Sequence, residues 1–272
     1  MTRPRLAVSL AGCALAAMGA AAQAQGSTAD EIAKYRQMLQ DDNPAELVIM
    51  RGEELWKQQR GQKKASLEQC DLGLGPGVVK GAYARLPRYF ADSDAVMDFE
   101  SRLVHCMVTQ QGFDRAEVTK NPFSGAGQRQ TDIESIVAYV VDQSRGAPVA
   151  IPQSNGKERA SYERGKQLFY MRGGPYDFSC ATCHGVDGQR IRLQDLPNIS
   201  LNKQDAARAF TTWPAYRLSQ GTLRTMQWRL NDCFRQQRFP EPIFVSPATV
   251  DLITFLGVNA NGAKMDSPAI KR

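Results

Sequence analysis

Apolar and polar positions along this chain recur mainly with the period of a helix. From Glu163 to Tyr170, Leu168 and Phe169 form the apolar side of a charged stretch, which predicts a helix. Ile133 to Val141 reads the same way. Near the end, Val250, Leu252, Ile253, Phe255 and Leu256 fit a helix buried on most of its circumference. Around Trp228 the chain is polar, and Arg229 and Cys233 stand four positions apart, on one face if the segment is helical. Between these stretches, Arg145 to Lys157 is rich in Pro, Gly and polar residues and reads as a linker. The expected fold class is all-α.

The N-terminal pattern is of another kind. Arg3 and Arg5 precede an apolar, Ala-rich run from Leu6 to Ala22, and Ala22-Gln23-Ala24 offers small residues at the positions a signal peptidase reads. Residues 1–24 are therefore expected to be a cleaved secretory signal, with the mature chain exported to the periplasm. No later segment approaches the ~20 apolar residues of a membrane span, so none is expected after cleavage. The formal net charge of +6 is spread along the chain. With no concentrated Lys/Arg run, it argues against a nucleic-acid partner and for a small anion or an acidic protein.

The two halves repeat one another. Gly52, Leu55, Trp56, Cys70 and Gly75 match Gly165, Leu168, Phe169, Cys183 and Gly188 at a constant spacing of 113. Arg102-Leu103-Val104-His105-Cys106 likewise parallels Arg229-Leu230-Asn231-Asp232-Cys233. Two tandem domains of one ancestry are expected, 25–150 and 151–272.

Chemistry enters with the cysteines. Cys180-Ala181-Thr182-Cys183-His184 is the C-x-x-C-H pattern of covalent haem attachment. Two thiols on one tight turn reach the two vinyl groups of a porphyrin, and the adjacent imidazole reaches the iron. Zinc is the poorer reading, because the chain holds only two histidines, His105 and His184. Gly185 and Gly188 allow a tight loop after the motif. In the first half Leu67 stands where Cys180 does and Asp71 where His184 does, so two tandem cytochrome c-like domains with one haem are expected, the first domain lacking it. Cys13 leaves with the signal. Cys70 and Cys106 would then flank an empty pocket, and in an oxidising compartment they are expected to pair.

Cys233 is the cysteine left over. It and Met226 are the two candidates for the iron's second axial position. Methionine is the usual ligand of an electron carrier, while a thiol beside Arg229 would be biased towards thiolate. Arg217, Arg224, Arg235 and Arg238 add positive charge to the segment, read either as an anion-binding cleft or as a solvated basic face.

Taken together, the C-x-x-C-H motif in the second half, Trp228-Arg229-Leu230-Asn231-Asp232-Cys233 after it and the two-domain frame resemble the SoxA family of sulfur-oxidation cytochromes. The resemblance spans essentially the mature chain and departs from two-haem members at Leu67 and Asp71. It implies an enzyme, an L-cysteine S-thiosulfotransferase, that joins thiosulfate to a cysteine of the carrier SoxYZ and passes electrons through haem c to a partner cytochrome, SoxX. It implies His184 as proximal and Cys233 as distal iron ligand, and Cys233 and Arg229 as active-site residues. The competing expectation is a periplasmic electron-transfer cytochrome with Met226 on the iron and no catalysis.

Overall fold

The computed structural model describes residues 43–191 and 194–271, together with Glu31, Lys34, Tyr35 and residues 37–39. The expected signal, its cleavage point and Cys13 lie outside the described residues. Among the described residues no helix is long and apolar enough to cross a membrane.

Helices dominate: α1 (Glu46–Lys57), α2 (Phe99–Cys106, prolonged by a π-turn Met107–Gln111), α3 (Arg115–Lys120), α4 (Asp132–Asp142), α5 (Gly156–Tyr170), α6 (Cys180–His184), α7 (Lys203–Thr211), α8 (Met226–Gln236) and α9 (Pro247–Asn259). Their starts are written in the sequence. Thr131 with Glu134 and Asn155 with Glu158 form capping boxes that open α4 and α5. Ser246 caps α9 ahead of Pro247, whose missing N–H costs nothing at a first helical position.

The repeat is visible as two helix crossings of one design. α1 packs on α4, and α5 on α9. A Cβ at Gly52 would lie 1.9 Å from the Ser135 carbonyl oxygen, and one at Gly165 would lie 1.9 Å from that of Asp251. Only glycine lets the backbones approach this closely. One turn on from each glycine an aromatic pair fills the crossing: Trp56 with Tyr139 at 6.4 Å and Phe169 with Phe255 at 5.1 Å between ring centroids. The same burial logic thus builds both halves, from residues spaced alike.

The all-α expectation needs correcting: the protein is mostly helical but carries short strands. β1 (Arg88–Phe90) and β2 (Ala95–Met97) form a hairpin, and β3 (Arg190–Ile191) pairs with β4 (Gln194–Asp195). β5 (Ala215–Arg217) lies between β6 (Thr222–Arg224), antiparallel, and β7 (Ala269–Lys271), parallel. Strands of two or three residues are too short to show period-two alternation, so hydrophobic patterning cannot reveal them. The Arg145–Lys157 stretch also differs from a free linker. Val149 and Ile151 are buried, the Val149 N–H donates to the Ala263 carbonyl at 2.8 Å, and the Met265 N–H donates to that of Ala147 at 3.0 Å.

Buried polar contacts join the halves. The Gln227 side chain donates to Asp98 at 2.7 Å, and its backbone N–H donates to Glu100 at 3.4 Å. Arg224 and Glu134, both almost fully buried, form an ion pair at 3.5 Å. Burial pushes the Glu100 carboxyl well above its usual range, with the Asp98 charge adding to the effect.

Cys70 and Cys106 form the expected disulfide, both thoroughly buried, with their Cα atoms 5.8 Å apart. It closes a loop with a sequence separation of 36. In the loop-entropy account such a bridge stabilises by roughly 3–4 kcal/mol. Cys70→Ser combined with Cys106→Ser is expected to lower unfolding free energy by about that amount in urea titration, with haem content unchanged.

Candidate functional site

The site begins with a single helical turn. Ser179 caps α6 by accepting from the Thr182 N–H, and Thr182 Oγ1 accepts from the Ser179 N–H at 3.0 Å. This box fixes the turn that carries Cys180, Cys183 and His184. The His184 Nδ1 lies 2.8 Å from the Pro197 carbonyl oxygen. A carbonyl only accepts, so Nδ1 carries the proton and Nε2 keeps its lone pair, the tautomer a metal requires. The turn bearing Pro197 is itself held: the Asn198 N–H donates to Asp205 at 2.9 Å and its side chain donates to Asp187 at 2.9 Å. Burial lowers the His184 pKa against the opposing effect of the Pro197 hydrogen bond, and the Arg229 charge lowers it further, so the neutral imidazole is favoured.

Across from α6 stands α8, capped by Thr225, which accepts from the Trp228 N–H. Met226, Arg229, Leu230 and Cys233 share its inward face, one or two turns apart. Between the two helices lies a cavity of about 620 Å³ whose lining includes Cys180, Cys183, His184, Arg229 and Cys233. Phe169, Ile199, Leu252 and Leu256 supply apolar wall. Cys180, Cys183 and Cys233 are free thiols. Burial pushes the Cys180 thiol up to about 12, and the charge of Cys233 contributes. Cys183 is raised by the same two causes in the same order.

The arrangement fits a covalently held haem. The volume lies within the range of cofactor pockets, the walls are apolar, and two thiols one turn apart adjoin an imidazole with a free Nε2. Both candidates for the second axial position, Met226 and Cys233, line this cavity. The counterpart turn in the first half has no such site. Leu67 is fully buried, Cys70 is spent in the disulfide, and Asp71 accepts from the N–H groups of Gly73 at 2.6 Å and Gly75 at 2.9 Å.

The arginines of the segment divide. Arg229 lines the cavity while donating to Asp232 at 2.9 Å, and Asp232 also accepts from Gln236 at 2.9 Å and from Arg235. Arg224 is committed to Glu134, its guanidinium 4.4 Å from the Trp228 ring centroid. Arg235 and Arg238 are exposed. Arg217 lines the cavity. Sequence reasoning missed Trp213 and the C-terminal strand. The Trp213 ring centroid lies 5.7 Å from the guanidinium of Arg229 and 5.8 Å from the ammonium of Lys271. A tryptophan is a signal in itself, but β7 is recruited by pairing with β5 and leaves no local trace.

Known proteins match this frame. The chain is 49% identical to L-cysteine S-thiosulfotransferase subunit SoxA of Hydrogenophilus thermoluteolus over 272 residues, covering 100% of this chain and 98% of that protein. A subunit of the same name from Hydrogenobacter thermophilus is 32% identical over 252 residues, with 91% of each chain covered. This chain belongs to the SoxA family. The family description "SoxA/TsdA, cytochrome c domain" matches residues 51–149, which is the half without the C-x-x-C-H motif. The crystal structure of SoxXA from P. pantotrophus has the same fold, with a TM-score of 0.71 at 23% identity, covering 88% of this chain and 84% of that one. A cytochrome c domain implies haem c.

Asp232 gathers three donors on the rim of the cavity. Asp232→Ala is expected to lower stability by about 1–3 kcal/mol, read from the urea midpoint of the haem-loaded protein.

Proposed function

We propose that the chain is the catalytic, haem c-bearing subunit of an L-cysteine S-thiosulfotransferase, with Cys233 and Arg229 as its active-site residues. The observation that carries the reading is a free thiol on the wall of the cavity bounded by Cys180, Cys183 and His184, one helical turn from a guanidinium. A sulfur chemistry needs that thiol unpaired, and a plain electron carrier has no use for it.

Cys180, Cys183, His184 and Cys233 are the residues that would hold one haem c. When bound, haem c supplies a one-electron acceptor close to the reacting sulfur. The remaining work falls to this chain's side chains. Arg229 holds the sulfonate end of thiosulfate by charge-assisted hydrogen bonds, and Asp232 fixes the direction of that guanidinium. Orientation of this kind removes several kcal/mol of barrier. Cys233 forms the sulfur–sulfur bond with the terminal sulfur, and the thiosulfate unit then moves to a cysteine of a SoxYZ-type carrier. Overall, carrier thiol and thiosulfate give the carrier S-thiosulfonate, one proton and two electrons. A single haem accepts one electron at a time, so the pair calls for a second acceptor, which fits a SoxX-type partner cytochrome.

The same reading divides the mature chain into a haem-less domain, 25–150, and a haem-binding domain, 151–272, after a signal of residues 1–24 that directs it to the periplasm. Its support is the repeated glycine crossing, present once in each half.

Cys233→Ala is expected to abolish thiosulfate transfer to the carrier while retaining one haem per chain by mass spectrometry. The same variant should lose the thiolate signature in the electron paramagnetic resonance of the oxidised protein, and Met226→Leu should keep it. A charge-transfer band near ~695 nm that vanishes in Met226→Leu would instead make methionine the ligand and the chain an electron carrier.

A further inference from the structure

The cavity holds more positive charge than the transfer reaction, as described above, uses. Several charged groups on its wall already have partners. Arg229 donates to Asp232 at 2.9 Å, Arg208 to Asp205 at 2.9 Å, and Asp195 accepts from Arg190 at 2.9 Å. Arg217 differs. Its Nε is buried and has no hydrogen-bond partner, and among the described residues it is in no ion pair. It projects from β5, the central strand, in register with Thr222 on β6 and Lys271 on β7. The charges that act on it are those of Arg229, Asp232, Arg224 and Cys233, and Arg217, Arg229 and Cys233 line the same cavity. Burial and the Arg229 charge both work against its protonated form.

Arg217 is half-buried, and a buried guanidinium N–H left without an acceptor is costly and is tolerated where an anion completes it. Arg229 is half committed to Asp232, so by itself it is a weak receptor for a dianion. A second fork facing the same sulfur from a different element would supply the missing donors. We infer that Arg217 is a substrate-binding residue: it receives the oxyanion end of thiosulfate opposite Arg229, so that two guanidinium groups clamp the sulfonate while its terminal sulfur points at Cys233. This deepens the proposed function and rests on it for the identity of the anion. The shared chemistry is an oxyanion beside the Cys233 sulfur. Two sources could supply it, the sulfonate of the substrate or a carboxylate of the porphyrin. That Arg217 and Cys233 line the same cavity favours the sulfonate.

The test is direct binding. Thiosulfate is titrated calorimetrically, without carrier, into the oxidised haem-loaded protein and its Arg217→Gln and Arg217→Lys variants. Reduction potential and visible spectrum are recorded for each. Arg217→Gln is expected to weaken binding about ten- to a hundredfold, with potential and spectrum unmoved. Arg217→Lys keeps the charge but loses the fork, and should fall between. Should Arg217→Gln not accumulate, Arg217→Lys decides, with a loss of about threefold or more expected and wild-type affinity overturning the inference. Wild-type affinity in Arg217→Gln overturns it, as does a shifted potential with affinity unmoved, which would assign the guanidinium to the porphyrin. Absence of thiosulfate binding by the unaltered protein also overturns it. Carrier turnover is assayed separately. Weakened binding in a protein without transfer activity leaves Arg217 an anion receptor and removes the proposed function, whereas active transfer with Arg217-independent binding does the reverse.

Discussion

Everything in the second half depends on one separation. Cys70 and Cys106 are bonded across the core of the first half, and Cys183 and Cys233 occupy the matching positions of the repeat with a cavity between them. The same helical frame therefore serves two ends. In the first half the two cysteines meet, and their bond ties the buried core together. Where the pocket stays open, the turn after Ser179 presents two thiols and an imidazole on one side, and α8 presents a third thiol on the other. Distance from its counterpart is what leaves this thiol unpaired.

The frame itself comes from glycine. At Gly52 and Gly165 the partner helix approaches so closely that a methyl group would overlap a carbonyl oxygen. That contact orients α5 against α9, and the aromatic pair Phe169 and Phe255 extends it towards the cavity wall. Backbone approach, aromatic packing and cofactor space are thus one continuous arrangement rather than separate features.

Much of this was legible in the sequence because it is local. Cys180-x-x-Cys183-His184 is contiguous, the Arg229 to Cys233 spacing is one helical turn, and two repeat matches, Cys70 with Cys183 and Cys106 with Cys233, pointed to the Cys70–Cys106 pairing. What sequence could not give is long-range. β5, β6 and β7 are three residues each, and β7 reaches β5 from more than fifty positions away. Arg217, Arg224, Arg235 and Arg238 look alike as a run of charge, yet one faces the cavity, one is buried against Glu134, and two face solvent. Only the partner elements distinguish them. The Arg145–Lys157 stretch has the composition of a tether, and the hydrogen bonds that fix it come from residues 263–265, far along the chain.

The contacts of Gln227 and Arg224 bear on how the molecule comes apart. Both residues lie at the base of α8 and are satisfied by carboxylates of the other half, Asp98 and Glu134. Excising residues 43–150 would strand a guanidinium and an amide at the foot of the helix that carries Cys233. The half that carries the C-x-x-C-H motif therefore leans on the other for its polar satisfaction. The first half thus acts as a foundation, its carboxylates Asp98 and Glu134 holding the foot of the helix that carries Cys233.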